Sequence, residues 1–407
     1  MPEPTTARDV RQQDRQQDRQ HDRQHDLVVL GATGFTGELT AAYLAEHAPA
    51  GLRWALAGRN QEKLEAVRDR LARIDPALAD LPLVKADSGD EDSLRALARS
   101  TRAVITTVGP YLAHGMPLVA ACAAEGTDYL DLTGEPEFVD RAYLEHHQAA
   151  VASGARLVHA CGFDSIPHDL GAWFTVQQLG DTAPITLRGV VRAAGTFSGG
   201  TFHSALGAMS NAAGMRSAMK ERRKREARPE GRRSRAVSGK PHRDSVLGLW
   251  LLPMPTIDPF VVARSGAALA SYGPDFRYSH YAGLKTLRYT VGGALGVGAI
   301  VVAAQVGPVR ELLKKRVPQG EGPSESRRAT SWFTVDFVGE SEGRTVRTRV
   351  SGGDPGYTET AKMLAESALC LLLDDNPTTS GQVTTAQAMA EHLLPRLQAA
   401  GIRFETV

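Results

Sequence analysis

Apolar and polar positions along the chain follow two rhythms that change over near Gly171. Upstream, short continuous apolar runs alternate with stretches of helical spacing. The run 27–30, Leu-Val-Val-Leu, has strand length, and a helical pattern through Leu39, Tyr43 and Leu44 follows it. Further strands are predicted at 53–57, 82–85, 103–108, 128–132 and 156–160. Between them lie helices carrying Leu64, Val67 and Leu71, then Leu94 and Leu97, then 117–125 and 136–153. Strands alternating with helices over about 135 residues predict an α/β fold with a parallel, doubly wound sheet.

Downstream the alternation breaks down. A strand is expected at 186–194, a helix at 204–219, and a basic stretch of low order over 216–243. Segments 331–338 and 344–350 alternate apolar with polar residues around a turn at Ser341-Glu342-Gly343, which predicts an antiparallel hairpin. These pieces form a second α+β domain over 173–356, and helices at 357–373 and 384–399 close the chain in a unit spanning 357–407. At the other end, four units beginning at Arg11, Arg15, Arg19 and Arg23 read Arg-Gln-Gln-Asp or Arg-Gln-His-Asp. Their charges cancel and no apolar face exists to offset ordering entropy, so 1–26 is expected to be a disordered tail before an ordered domain at 27–172.

Composition narrows the class. Forty-seven Lys and Arg against 46 Asp and Glu give a net charge of +1, which excludes a chain that is basic throughout and a general nucleic-acid binder. Three scattered cysteines, without a CxxC pair, argue against a disulfide framework or a zinc motif, and no metal site is expected. A cytoplasmic setting fits this usage.

Chemistry enters at the first strand. Gly31, Gly34 and Gly37 follow it directly and open a helix, the context in which glycines admit a dinucleotide pyrophosphate to a helix N-terminus. Thr33, Phe35 and Thr36 complete that loop. At the second strand's end, where an NAD site usually has an acidic residue for the ribose 2′-hydroxyl, stand Arg59 and Asn60, with Lys63 one turn on. A guanidinium grips a 2′-phosphate that a carboxylate would repel, so NADP is the expected cofactor. Asp87 ends the third strand, where adenine would lie. Val108, Gly109, Pro110 and Tyr111 follow the fourth, on the path to the nicotinamide.

The motifs GATGFTG (31–37), AGRN (57–60), TTVGPY (106–111), YLDLTGE (129–135) and CGFDSIPHDLG (161–171), with SGGTFHSAL (198–206) and DPGYTETAKMLAESAL (354–369), together resemble the saccharopine-dehydrogenase-like oxidoreductases. The bacterial trans-acting enoyl reductases are the most similar branch. The resemblance spans about residues 27–373. It implies an NADP-binding Rossmann domain, an inserted α+β domain, and reduction of a double bond in a polyketide or fatty acyl thioester, carrier-bound in that branch. An amino-acid-derived substrate, or a non-catalytic NADP-binding lipid-associated protein, is the alternative. His168 departs from the pattern, which usually has Ser there.

Such a reduction needs a proton donor and a partner for the thioester carbonyl. Tyr111 is the first candidate, against simple packing beside Pro110. Asp164 and Ser165 could orient substrate or carboxamide, against a helix N-cap role before Pro167. His114 reads as a loop histidine and Cys161 as a buried small hydrophobe. Two stretches remain. Residues 289–309 carry no charge; a single membrane span there would split the second domain, so a homodimer contact, an acyl-binding surface or peripheral contact with the inner membrane face is expected. Residues 216–243 hold twelve Lys or Arg against three Glu, a local charge of +9 without interleaved aromatics. That gives no support for stacking on single-stranded nucleic acid and suits an anionic partner, such as membrane headgroups or a carrier domain.

Overall fold

The computed structural model describes residues 23–195, 211–289 and 322–407, with isolated positions between 292 and 312. The first rhythm folds as its periodicity predicts. Strands β1 (His25–Leu30), β2 (Trp54–Gly58), β3 (Leu83–Lys85), β4 (Thr101–Thr106), β5 (Asp128–Asp131) and β6 (Arg156–Val158) form a parallel sheet in the order 3-2-1-4-5-6. That order reverses between β1 and β4, the point at which doubly wound sheets bind ligands outside their carboxyl ends. Leu27 and Val29 face one helical layer and Val28 and Leu30 the other, all within 2% of full burial, which is why the run is continuously apolar.

The second sheet is mixed. It comprises β7 (Ile185–Ala194), β8 (Arg233–Ala236), β9 (His242–Arg243), β10 (Trp250–Pro253), β11 (Asp275–Leu284), β12 (Trp332–Ser341) and β13 (Arg344–Gly352). The β12–β13 hairpin is in the expected register, Ser341 opposite Arg344. Its two linking residues, Glu342 and Gly343, have φ of 49° and 77°, the left-handed pair that matches strand twist.

Three boundaries differ from the sequence expectation. Residues 23–26 belong to the fold, not to the tail: β1 begins at His25, Asp26 pairs with Arg53 at 2.9 Å, and Arg23 is buried. The Arg23 guanidinium donates to the carbonyls of Ala98 (2.8 Å), Glu125 (2.6 Å) and Thr101, and to the Thr127 hydroxyl, so four acceptors replace the water it loses. Second, the helix Ile166–Gln177 runs through the border placed at 172, and Gly171 lets it approach the second sheet; a Cβ there would lie 2.3 Å from the Phe337 ring. Third, the chain after 357 is not a separate unit. β14 (Gly381–Val383) extends the parallel sheet beside β6, and β15 (Arg403–Thr406) extends the mixed sheet beside β13.

The basic stretch is also structured. It contains the helix Ala212–Arg225 and strands β8 and β9. Residues 196–210, which hold the first seven residues of the expected 204–219 helix and the SGGTFHSAL motif, lie outside the described residues, as does most of 289–309. No helix among the described residues is long and apolar enough to cross a membrane.

Candidate functional site

The glycine loop is built for close approach. Gly31 has φ of 86°, and a Cβ on it would lie 2.8 Å from Thr107 Oγ1; one on Gly37 would lie 2.2 Å from the Gly31 carbonyl oxygen. Gly34, which has no side chain to cap it, precedes the helix Phe35–His47, so among the described residues the first-turn amides of Phe35, Thr36 and Gly37 are left for an anion. Arg59 and Lys63 are exposed at the end of β2 and have no ion-pair partner among the described residues. Asn60 is committed elsewhere: its Oδ1 accepts from the Lys63 amide at 2.9 Å and caps the helix Gln61–Leu71. Asp87 is half-buried and closes its own turn by accepting from the Gly89 amide at 2.9 Å. Thr33, Val108 and Pro110 stay partly exposed beside the loop, with Gly109 open to solvent. A glycine cradle, free amides and two unpaired cations fit a dinucleotide carrying a 2′-phosphate.

Tyr111 does not face this cleft. It is buried, its hydroxyl donates to the Thr106 carbonyl at 3.1 Å and accepts from the Leu132 amide at 3.2 Å, tying the ends of β4 and β5 together. Burial, with the charge of Asp131 nearby, pushes its phenol well above the ordinary value. This environment fits the packing alternative, with the hydroxyl committed to two backbone partners. Glu135 holds the same corner by accepting from the amides of Tyr111 (3.0 Å) and Leu112 (2.9 Å). His114 is exposed at the end of a one-turn helix, and burial raises the Cys161 thiol far out of the reactive range.

The GFDS loop resolves differently. Ser165 stands at the N-cap position of the helix Ile166–Gln177, yet no side chain caps it, so Asp164 and Ser165 are not spent on capping. Asp164 keeps part of its surface open and lies beside Gly134. Burial pushes the Asp164 carboxyl up to about 7, and the negative charge of Asp258 adds to the shift.

Asp258 belongs to a buried cluster that no linear motif announces. His168 Nδ1 lies 3.1 Å from Asp258 Oδ1, and His280 Nε2 lies 3.6 Å from Asp258 Oδ2. Tyr278 Oη is 3.1 Å from His280 Nδ1. Burial lowers both histidines, His280 to about 4, against the opposing pull of Asp258. Burial alone would raise Asp258, but the neighbouring His168 and His280, with the Thr256 and Ser165 hydroxyls nearby, hold it below the ordinary carboxylate value. Donor atoms of these three side chains fall within 4.8 Å of one another, a set whose chemistry also suits a divalent ion. One hint lay in the sequence. His280 shares the inward face of β11 with Phe276 and Tyr278, and a polar residue at such a position needs a buried partner.

The other wall comes from DPGYTET. Asp354 accepts from the amides of Tyr357 (3.1 Å) and Thr358 (3.0 Å), which opens the helix Thr358–Leu373. Tyr357 packs edge-on against Phe35 with ring centroids 4.9 Å apart, and Thr360 Oγ1 accepts from the Phe163 amide at 3.1 Å. The dinucleotide loop and the GFDS loop therefore both touch the segment that follows the second sheet's β13, beside the switch-point crevice.

A cleft of this construction at the switch point of a doubly wound sheet marks an NADP-dependent oxidoreductase. Comparison with known proteins agrees. Residues 27–158 match the family model of the saccharopine dehydrogenase NADP binding domain. A Mycobacterium tuberculosis relative is 37% identical over 415 residues, covering 93% of this chain and 97% of its own. Proteins named trans-acting enoyl reductase from Mycobacterium bovis and Mycobacterium leprae are each 34% identical, covering 92% of this chain and 96% of theirs. Among solved structures, the apo saccharopine dehydrogenase (L-Glu forming) of Saccharomyces cerevisiae covers 94% of this chain and all of its own at a TM-score of 0.54 and 12% identity, a likeness of fold. The chain belongs to the trans-acting enoyl reductase family.

Proposed function

We propose that the protein is an NADPH-dependent enoyl reductase that saturates the α,β double bond of a polyketide or fatty acyl thioester presented by a carrier domain. The observation that carries this reading is Asp164, a carboxyl held near neutrality in the loop after β6, on the carboxyl edge of the same parallel sheet whose first strand carries the glycine cradle. NADPH, when bound, supplies the hydride that the β-carbon accepts. The protein's own residues do the rest. The amides at 35–37 and the Arg59 and Lys63 cations hold the pyrophosphate and 2′-phosphate. Hydride addition leaves an enolate of the thioester, and Asp164 gives its proton to the α-carbon. Its carboxylate then recovers a proton from water. Ser165, beside Asp258, helps fix the loop that presents Asp164.

The test is NADPH oxidation followed by absorbance with a crotonyl or longer 2-enoyl thioester, with NADH as the comparison. Turnover with NADPH, and a much weaker response to NADH, is expected. Oxidation only with an imine formed from an amino acid, or tight NADPH binding without turnover on any enoyl thioester, would overturn the reading.

A further inference from the structure

The helix Ala212–Arg225 has two unlike faces. On the inner one Ala218 and Arg222 are buried. Arg222 donates to Glu226 at 2.6 Å, to Asp140 at 3.3 Å and to Gln382 at 2.6 Å, and lies 4.2 Å over the Tyr143 ring, which anchors the helix to Pro136–Ser153 and to β14. Arg222 is thus structural and withdrawn from any partner. The outer face is different. Arg216, Lys220 and Arg223 recur at helical spacing, exposed, with Arg228 beyond, and none has an ion-pair partner among the described residues. They surround Met219 in an open hollow of about 870 Å³.

Position gives this face its meaning. The helix starts near the carboxyl edge of the parallel sheet: Asn211 Nδ2 donates to Glu137 Oε2 at 2.6 Å, in the first turn of the helix that follows β5. At about 1.5 Å per residue, Arg216 to Arg223 lie roughly 8–18 Å along the axis from that start. An extended phosphopantetheine arm is comparable in length to this helix, so a domain seated on the cations could still reach the cleft. A bilayer is a poorer match, because the face offers one methionine and no wedge of bulky apolar residues.

We propose that the solvent face of Ala212–Arg225, with Arg216, Lys220 and Arg223 around Met219, is the docking surface for an acidic acyl-carrier domain. The inference rests on the enoyl-reductase reading for its partner, but its test separates the two. The triple variant R216E/K220E/R223E and the unaltered protein are compared with a bacterial acyl carrier protein bearing a crotonyl group and with crotonyl-N-acetylcysteamine. A thermal melt checks the fold. For the carrier substrate KM rises at least about tenfold and its dependence on salt flattens, whereas kcat/KM for the small thioester stays within about twofold. Calorimetric binding of the acyl carrier protein needs no turnover, so it decides the surface even if enoyl reduction fails. Unchanged carrier binding, equal losses on both substrates, or loss only of binding to anionic vesicles would each overturn the proposal.

Discussion

Asp164 and Asp258 show how two carboxyls in one buried region divide their work. Asp258 is surrounded by donors and stays ionised, while Asp164 has the Asp258 charge beside it and keeps its proton up to about pH 7. The acid form is the active one, so kcat should fall as pH rises through about 7. Asp258→Asn removes the neighbouring charge and should move that falling limb to lower pH, while Asp164→Asn should cut kcat by about 10²-fold or more with NADPH affinity unchanged. A pH–rate profile for the three proteins reads both effects; an unmoved limb in Asp258→Asn would show that the charge does not act on Asp164. Tyr111→Phe carries the opposite expectation. Loss of the bridge between Thr106 and Leu132 should lower stability by about 1–2 kcal/mol, seen in denaturant unfolding, with kcat changed only severalfold.

Among the elements, β1 shows what local pattern conveys and what it misses. Its apolar run and the glycines behind it were legible because both act over a few residues. The two residues that begin the strand were not, since His25 and Asp26 continue a polar repeat and their reward is remote: Arg53 for Asp26, and the ends of two helices for the nearby Arg23. Removing residues 1–22 should therefore leave the melting temperature unchanged, whereas Arg23→Ala should cost about 2 kcal/mol by stranding buried carbonyls. Differential scanning calorimetry distinguishes the two. The same limit explains the site. The cradle is contiguous in sequence and was read whole, while His168, Asp258 and His280 come from a helix, a second helix and a strand. Only topology brings them together, and isolated polar residues in apolar stretches were the sole trace they left.

Across the whole molecule, Asp169 joins what the sequence pattern divides. Its carboxylate accepts from Ser265 Oγ (2.5 Å), Thr385 Oγ1 (2.7 Å) and the Ala386 amide (2.8 Å), so one side chain clamps the helices Ile166–Gln177, Asp258–Ala268 and Thr385–Ala399. Burial nevertheless raises it to about 6, because three hydrogen bonds do not fully replace its hydration. The native state thus retains a proton that the unfolded chain, with a carboxyl near 3.9, has released. Stability should fall as pH climbs from about 4 through 6, and Asp169→Asn should melt lower at every pH yet lose that part of the slope. Melts at several pH values test this.

The placement of β14 and β15 has a consequence for how the protein is made. Gly381 pairs with Arg156 in one sheet and Arg403 with Ser351 in the other, so both sheets acquire an outer strand from segments that follow the cleft residues along the chain. During translation β6 and β13 each present an open edge that invites pairing with another chain. Emergence of 381–406 closes both edges. A ribosome stalled shortly before that point would hold a nascent chain whose cleft residues are all present and whose two halves lack the segment that staples them.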